Sequence, residues 1–252
     1  MTITCKNCGV HFKGNFCSNC GQSAETHAMN FHFLLHDIQH GLLHVDKGLF
    51  YTVRELFTRP GNAIKEFIEG KRVKHFRPFS LVLVLAGVYG IIYHLFKMNM
   101  FENRIVVSGN GQEVEDVKHL VEKLMEWLAT HYALVALAQL PVYAAGTWLA
   151  FRKSGYNFVE HLVIHAFLTG QRLILQILLF PLSYAFRNTK WLDNVEGTTT
   201  FIGIVLMVWS LIQFFHHKVK WKTFGLAVLS YAIFILISIA LVGIIVLTAR
   251  LV

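Results

Sequence analysis

Five apolar segments, each long enough to cross a bilayer, dictate most of what this chain can become. They run from about Phe79 to Phe96, His131 to Phe151, Phe158 to Phe186, Thr198 to Phe215 and Thr223 to Thr248. A hydrocarbon core of about 30 Å takes roughly 20 helical residues to span. Runs of this length leave no polar face for water, and in lipid every backbone N–H and C=O must be satisfied within its own segment. Helix is therefore the only conformation open to them. Composition agrees: hydrophobic residues make up 54% of the 252 and charged residues 15%, where a soluble protein carries about 25% charged residues. The sequence predicts an all-α, polytopic bundle of five transmembrane helices over residues 79–252, preceded by small elements at 1–24 and 25–78.

Charge between the spans alternates. Arg59, Lys65, Lys71, Arg72, Lys74 and Arg77 precede the first span, whereas the loop from Lys97 to Thr130 is acid-rich, with Glu102, Glu113, Glu115, Asp116, Glu122 and Glu126. Arg152 and Lys153 follow the second span, a nearly balanced Arg187–Glu196 loop follows the third, and Lys218, Lys220 and Lys222 follow the fourth. Positive loops stay in the cytoplasm, so the pattern predicts a cytoplasmic N-terminus and a periplasmic C-terminus. The net charge of +8 is thus read for topology before nucleic acid. No apolar stretch follows a basic start at the N-terminus, so the first span is expected to direct the chain to the membrane.

All four cysteines lie in the first 22 residues, as Cys5-Lys6-Asn7-Cys8-Gly9 and Cys17-Ser18-Asn19-Cys20-Gly21. Each Cys-x-x-Cys-Gly places two thiolates on one tight turn, and two such knuckles supply four soft ligands for a tetrahedral Zn²⁺. Residues 1–24 are therefore expected to form a zinc ribbon. A redox dithiol is the alternative, and a disulfide pairing would require an oxidising compartment that the predicted sidedness does not provide.

Between ribbon and bundle, Phe31, Leu34, Leu35, Ile38, Leu42, Val45, Leu49, Val53 and Leu56 recur at three- and four-residue steps. They predict an amphipathic helix from about Asn30 to Phe57 with one apolar stripe. His32, His36, His40 and His44 form a ladder on its opposite face; a solvated polar face, a metal site and a pH sensor are all compatible with that spacing. Pro60-Gly61 then breaks the helix, and Ile64, Phe67 and Ile68 share one face of a short helix ending near Gly70. Lys71, Arg72, Lys74 and Arg77 crowd the membrane entry, where each cation near an anionic leaflet is worth about 1 kcal/mol. Anchoring to lipid headgroups is the simplest role for them, and a specific phosphate site the sharper one.

Several of these short motifs occur together in one known family. The second knuckle with Phe16 and Gln22, the Val45-Asp46-Lys47-Gly48-Leu49 segment with Thr52, the Arg59-Pro60-Gly61 turn, Glu69-Gly70-Lys71-Arg72 and Pro78 resemble an uncharacterised bacterial family catalogued as domain of unknown function 3667. The resemblance covers roughly the first eighty residues. It implies a bacterial inner-membrane protein with a zinc-ribbon head, and it brings no catalytic residues.

The third span carries the one polar constellation inside the membrane. His161, His165, Thr169, Arg172 and Gln176 fall within an arc of roughly 80° at 100° per residue, and Ser183 continues the line. Phe167, Ile174 and Leu178 lie away from it. A charge near mid-bilayer costs about 2.5–3.5 kcal/mol even on the lenient insertion scale, so Arg172 should face the bundle and find partners. Gln139, Gln213 and His94 are the candidates from other spans. Such a stripe can form a hydrated groove for a polar or anionic ligand, a proton relay, or a hydrogen-bonded seam that locks helices together.

No Ser-His-Asp order, Gly-rich phosphate loop, paired intramembrane carboxylate or His-Glu-x-x-His motif is present, so hydrolase and nucleotide-driven readings lack a nucleophile or a phosphate cradle, and other enzymatic readings stay open without a motif to argue them. The functional expectation is a non-enzymatic adaptor presenting the zinc ribbon to a cytosolic protein, with membrane lipids as further partners and self-association open. The alternative is a small transporter or lipid-handling protein built on the third-span stripe. Nucleic acid is disfavoured because the knuckles carry only Lys6 and Lys13.

Overall fold

The computed structural model describes residues 2–24, 26, 29, 48–98, 112–215 and 219–249. Two short strands, β1 (Ile3–Thr4) and β2 (His11–Phe12), pair antiparallel with Ile3 opposite Phe12 and Thr4 opposite His11. Eight helices follow among the described residues: α1 (Gly48–Thr58), α2 (Pro60–Ile68), α3 (Pro78–Leu95), α4 (Gln112–Thr130), α5 (Tyr132–Ala150), α6 (Phe158–Phe186), α7 (Leu192–Phe214) and α8 (Lys220–Ala249). The protein is mostly helical, and α3, α5, α6, α7 and α8 are the five helices long and apolar enough to cross a membrane. Their bounds follow the sequence reading to within a few residues, with the starts of α7 and α8 reaching further back.

Helix α6 is the hub. Residues 161–171 include no exposed or half-exposed member, so Phe167 and Ile174 are as buried as the polar stripe, and of the three residues set against it only Leu178 is exposed. Its start is set by a capping box: Asn157 Oδ1 accepts from the Glu160 N–H at 2.9 Å, and Glu160 accepts from the Asn157 N–H at 2.7 Å. Helices α3, α5 and α7 surround it, and α1 and α2 cover its first half. By contrast α7 and α8 expose most of their apolar surface, as lipid-facing helices do. Trp148 and Trp221 are exposed at one end of the bundle and Trp191 at the other, matching the interfacial preference of tryptophan.

Two expectations differ from the structure. The segment from Lys97 to Thr130, read as an acidic loop, contains α4. Its Val114, Val117, Val121, Leu124 and Leu128 recur at helical steps, and Glu, Lys, Leu and Met between them are strong helix formers. Trp127 stacks on His131 at 4.6 Å where α4 meets α5. The amphipathic helix expected over 30–57 is described only as α1; residues 30–47, with His32, His36, His40 and His44, lie outside the described residues. Of the predicted stripe on α1, Leu56 is buried and Leu49 packs against the core, but the buried face extends beyond the stripe to Thr52 and Glu55. Polar partners decide this: Thr52 Oγ1 accepts the Phe76 N–H at 2.7 Å, and Glu55 pairs with Arg59.

Candidate metal centre and intramembrane polar seam

The two knuckles repeat one backbone design. In the first, the Gly9 N–H donates to Cys5 O at 2.9 Å and the Cys5 N–H to Val10 O at 3.0 Å; in the second, the Gly21 N–H donates to Cys17 O and the Cys17 N–H to Gln22 O, both at 2.8 Å. Gly9 and Gly21 have φ of 75° and 74°, a conformation glycine adopts without steric penalty. The four sulfur atoms lie within 4.8 Å of one another, with Cys5–Cys20 at 3.5 Å and Cys8–Cys17 at 3.6 Å. All four thiols are free. Tetrahedral thiolate sites with metal–sulfur bonds of about 2.3 Å place sulfurs about 3.8 Å apart, so this donor set fits a metal ion. In the bare ribbon, burial pushes the Cys5 thiol up to about 11, whereas hydrogen bonds from the Val10 backbone and the Asn19 side chain bring Cys8 down to about 6. A bound cation deprotonates such thiols outright.

The ribbon is fastened to the helices. The buried Gln22 amide donates to Gly70 O at 2.5 Å, and Gln22 Oε1 accepts the Arg72 N–H at 3.2 Å. Arg72 also donates to Phe67 O at 3.3 Å and lies over the Phe67 ring. Lys71 pairs with Glu66 at 3.8 Å, Lys74 stands over the Tyr51 ring, and the Arg77 carbonyl accepts the Leu81 N–H at 2.9 Å at the start of α3. Lys71, Arg72 and Lys74 therefore have side-chain contacts with protein in addition to any headgroup they meet. Arg59 links α1 to α2 through Glu55 and a two-pronged bond to Glu66 at 3.0 and 3.2 Å. Burial would raise the Glu66 carboxyl, but the Arg59 hydrogen bond and charge hold it below the usual range. His75, enclosed by Tyr51, Phe67 and Phe167, is pushed down to about 4 by burial and stays neutral. Gln22→Ala should leave metal content unchanged and speed proteolysis of the first 24 residues. It removes two hydrogen bonds of about 1 kcal/mol each and leaves Gly70 O and the Arg72 N–H without their partner. Unchanged proteolysis would show that the clamp does not hold the ribbon.

Helices α1 and α2 are in turn fixed to the bundle. Gln171 Nε2 donates to Leu56 O at 2.5 Å, the Ser210 hydroxyl proton is shared between Leu206 O at 2.7 Å and Gln171 Oε1 at 3.4 Å, and the Gly61 N–H donates to Gln213 Oε1 at 3.1 Å. The Phe67 and Phe167 rings meet edge to face at 5.1 Å.

On the other side of α6 lies the polar seam. Thr147 of α5 stands between two imidazoles, 3.0 Å from His161 Nδ1 and 3.1 Å from His165 Nε2. Its hydroxyl also reaches Ala144 O at 3.2 Å, and a hydroxyl donates only once. Donation to that carbonyl makes both imidazoles donors to Thr147 and leaves a lone pair on His161 Nε2, which is buried with no hydrogen-bond partner among the described residues. Tyr143 stacks on His165 at 5.5 Å and on Phe234 of α8 at 3.8 Å, and its hydroxyl accepts from Arg172 Nη1 at 2.8 Å. His161, His165 and Arg172 thus form one line along the α5–α6 boundary. Thr169 and Ser183 are buried on the same helix, and Gln176 is half-buried one turn beyond Arg172. The partners expected for Arg172 are elsewhere: Gln139 and His94 are exposed, and Gln213 serves Gly61. Thr147 and Tyr143, the residues that organise the seam, carry no charge and lie in an apolar run, so composition does not single them out.

Residues 46–90 match the family model described as a protein of unknown function, DUF3667. The match agrees with the resemblance read from the sequence and spans α1, α2 and most of α3, the part that bears the ribbon. No curated protein and no solved structure matches the chain.

Proposed function

We propose that this protein is a non-enzymatic adaptor of the bacterial inner membrane that holds a Zn²⁺-loaded ribbon on its cytoplasmic face for a protein partner. The Gln22 clamp carries this reading. It ties the knuckles to the Gly70 turn, and the Leu56–Gln171 and Gly61–Gln213 bonds tie that turn's helices to the bundle. A docking module gains from a rigid mount, because a preordered surface has less freedom to lose on binding. Cys5, Cys8, Cys17 and Cys20 would hold the zinc, which in a closed four-sulfur site supplies folding energy and has no open position for substrate. Ile3, Val10 and Phe16 are exposed on the ribbon, Phe16 at 66%, and supply apolar surface for contact. A stoichiometric cytosolic protein that co-purifies with the wild type and is lost with Phe16→Ser supports the reading; no such partner from intact cells argues against it.

Sidedness rests on the charge bias, with the ribbon, α1 and α2 inside and the C-terminus outside. Engineered cysteines at positions 113 and 218, probed with an impermeant thiol reagent on spheroplasts, should label at 113 and not at 218. The reverse labelling would overturn this orientation.

A second reading, transport or lipid handling, is favoured by one observation. Arg172 is placed halfway along α6 with a tyrosine hydroxyl, and no carboxylate, as its hydrogen-bond partner. The cations from Lys71 to Arg77 would then meet anionic headgroups at the entry.

A further inference from the structure

Arg172 lies fourteen residues beyond Phe158, the first residue of α6, so it stands about 21 Å along that helix. Its neighbours confirm the depth from other spans. Tyr143 lies near the middle of α5, and Gly203, which an added Cβ would bring to 3.7 Å from Arg172 Cγ, is near the middle of α7. Phe234, stacked on Tyr143, is near the middle of α8. A guanidinium at this height has left water, and buried charges in proteins are paired.

Among the described residues no carboxylate is placed to pair with it. The acidic residues of the five spanning helices are Glu160, Asp193 and Glu196, all within the first two turns of α6 or α7. Glu160 is engaged by its capping box and lies about 18 Å down the helix from Arg172. Glu196 precedes Gly203 by seven residues, about 10 Å along α7. One guanidinium nitrogen, Nη1, is taken by the Tyr143 hydroxyl. The Nε is buried with no hydrogen-bond partner among the described residues, and the same holds for Gln176 Oε1 one turn further on. The guanidinium thus keeps a buried N–H donor that no described residue satisfies, and an oxyanion is an acceptor whose geometry fits it.

From this geometry we infer that Arg172 and Gln176 form a mid-membrane binding site for an oxyanion, a carboxylate or phosphate group. The inference rests on the second functional reading and specifies its ligand. Arginine binds such groups bidentately, through two parallel N–H donors. The Gln176 amide presents its NH₂ to the anion when the side chain turns over, an exchange that preserves its shape. Tyr143 and Phe234 give the site an apolar wall, which suits the head of an amphiphile as well as a small soluble anion.

Full-length protein in nanodiscs of zwitterionic phosphatidylcholine separates the sources. Sodium acetate and sodium phosphate represent the soluble one; oleate and dioleoylphosphatidic acid represent the amphiphilic one. At least one of these should raise the unfolding midpoint saturably, by about 5 °C at a hundredfold excess over Kd. Arg172→Gln should abolish that shift. Arg172→Lys, which keeps the charge and loses the fork, should bind about tenfold more weakly. It keeps the assay decisive if the glutamine variant does not fold. No shift with any of the four probes, or unchanged affinity in Arg172→Lys, overturns the site. Saturable binding without flux of the same anion in proteoliposomes keeps the site and removes the transport reading. Flux that Arg172→Lys leaves intact removes the site and keeps transport.

Discussion

Cys17→Ser should reduce bound metal from about one ion per chain to none and unfold the ribbon, while the thermal transition of the bundle is retained. The ribbon has almost nothing else to hold it. Its strands are two residues each, and its buried core consists of Cys5, Phe12 and Cys17, so two of three core side chains belong to the candidate metal site. Domains this small do not bury enough apolar surface to fold without a staple, and metal binding to such a site is folding free energy. The loss should spread to the Gln22 clamp, because the Gln22 carbonyl accepts the Cys17 N–H within the second knuckle. Elemental analysis, with hydrogen exchange over residues 2–24 and 70–72, reads both effects. Full metal stoichiometry in the variant would sink the four-ligand assignment, and a metal other than zinc in the wild type would revise only the ion.

Gly61→Ala should destabilise the folded protein by about 1–3 kcal/mol, the range for overpacking at a tight contact. An added Cβ at this position runs into Gln213 Cβ, the Phe214 N–H and the Ser210 carbonyl. Two of these are backbone atoms of α7 that cannot turn aside. Helix α2 must then move away from α7 and stretch or break the Gly61–Gln213 bond. Gly225 supplies the contrast: it is also helical but has nothing within 4 Å of an added Cβ. Gly225→Ala should be neutral or stabilising by up to about 1 kcal/mol, the usual gain in a helix interior. Thermal or denaturant unfolding in detergent measures the pair. Equal effects from the two substitutions would mean that the α2–α7 contact does not matter for stability.

Sequence determined the parts of this protein that depend on one segment at a time. Span length and hydropathy located α3, α5, α6, α7 and α8, because an apolar run in lipid has no conformation available except helix. Cysteine spacing identified the four thiols that come together, since two residues between thiols is what one knuckle turn accommodates. Helical stepping placed His161, His165 and Arg172 on one face of α6. It missed α4, where charge masked a helical repeat, and on α1 it found Leu56 but not Thr52 and Glu55, which are buried through polar partners.

Only the tertiary structure decided partners. A spanning helix is apolar all round, so its periodicity carries little information on which neighbour it will meet. Tyr143 and Thr147, not Gln139 or His94, meet the α6 stripe because α5 crosses α6 at that height. Gln22, an ordinary residue after a knuckle, holds the ribbon because the Gly70 turn comes within reach of its amide. Gln171, adjacent to Arg172 in the chain, faces α1 and α7, while Arg172 faces α5. One residue step turns a helix by about 100°, which is why neighbours in sequence serve opposite sides of the hub.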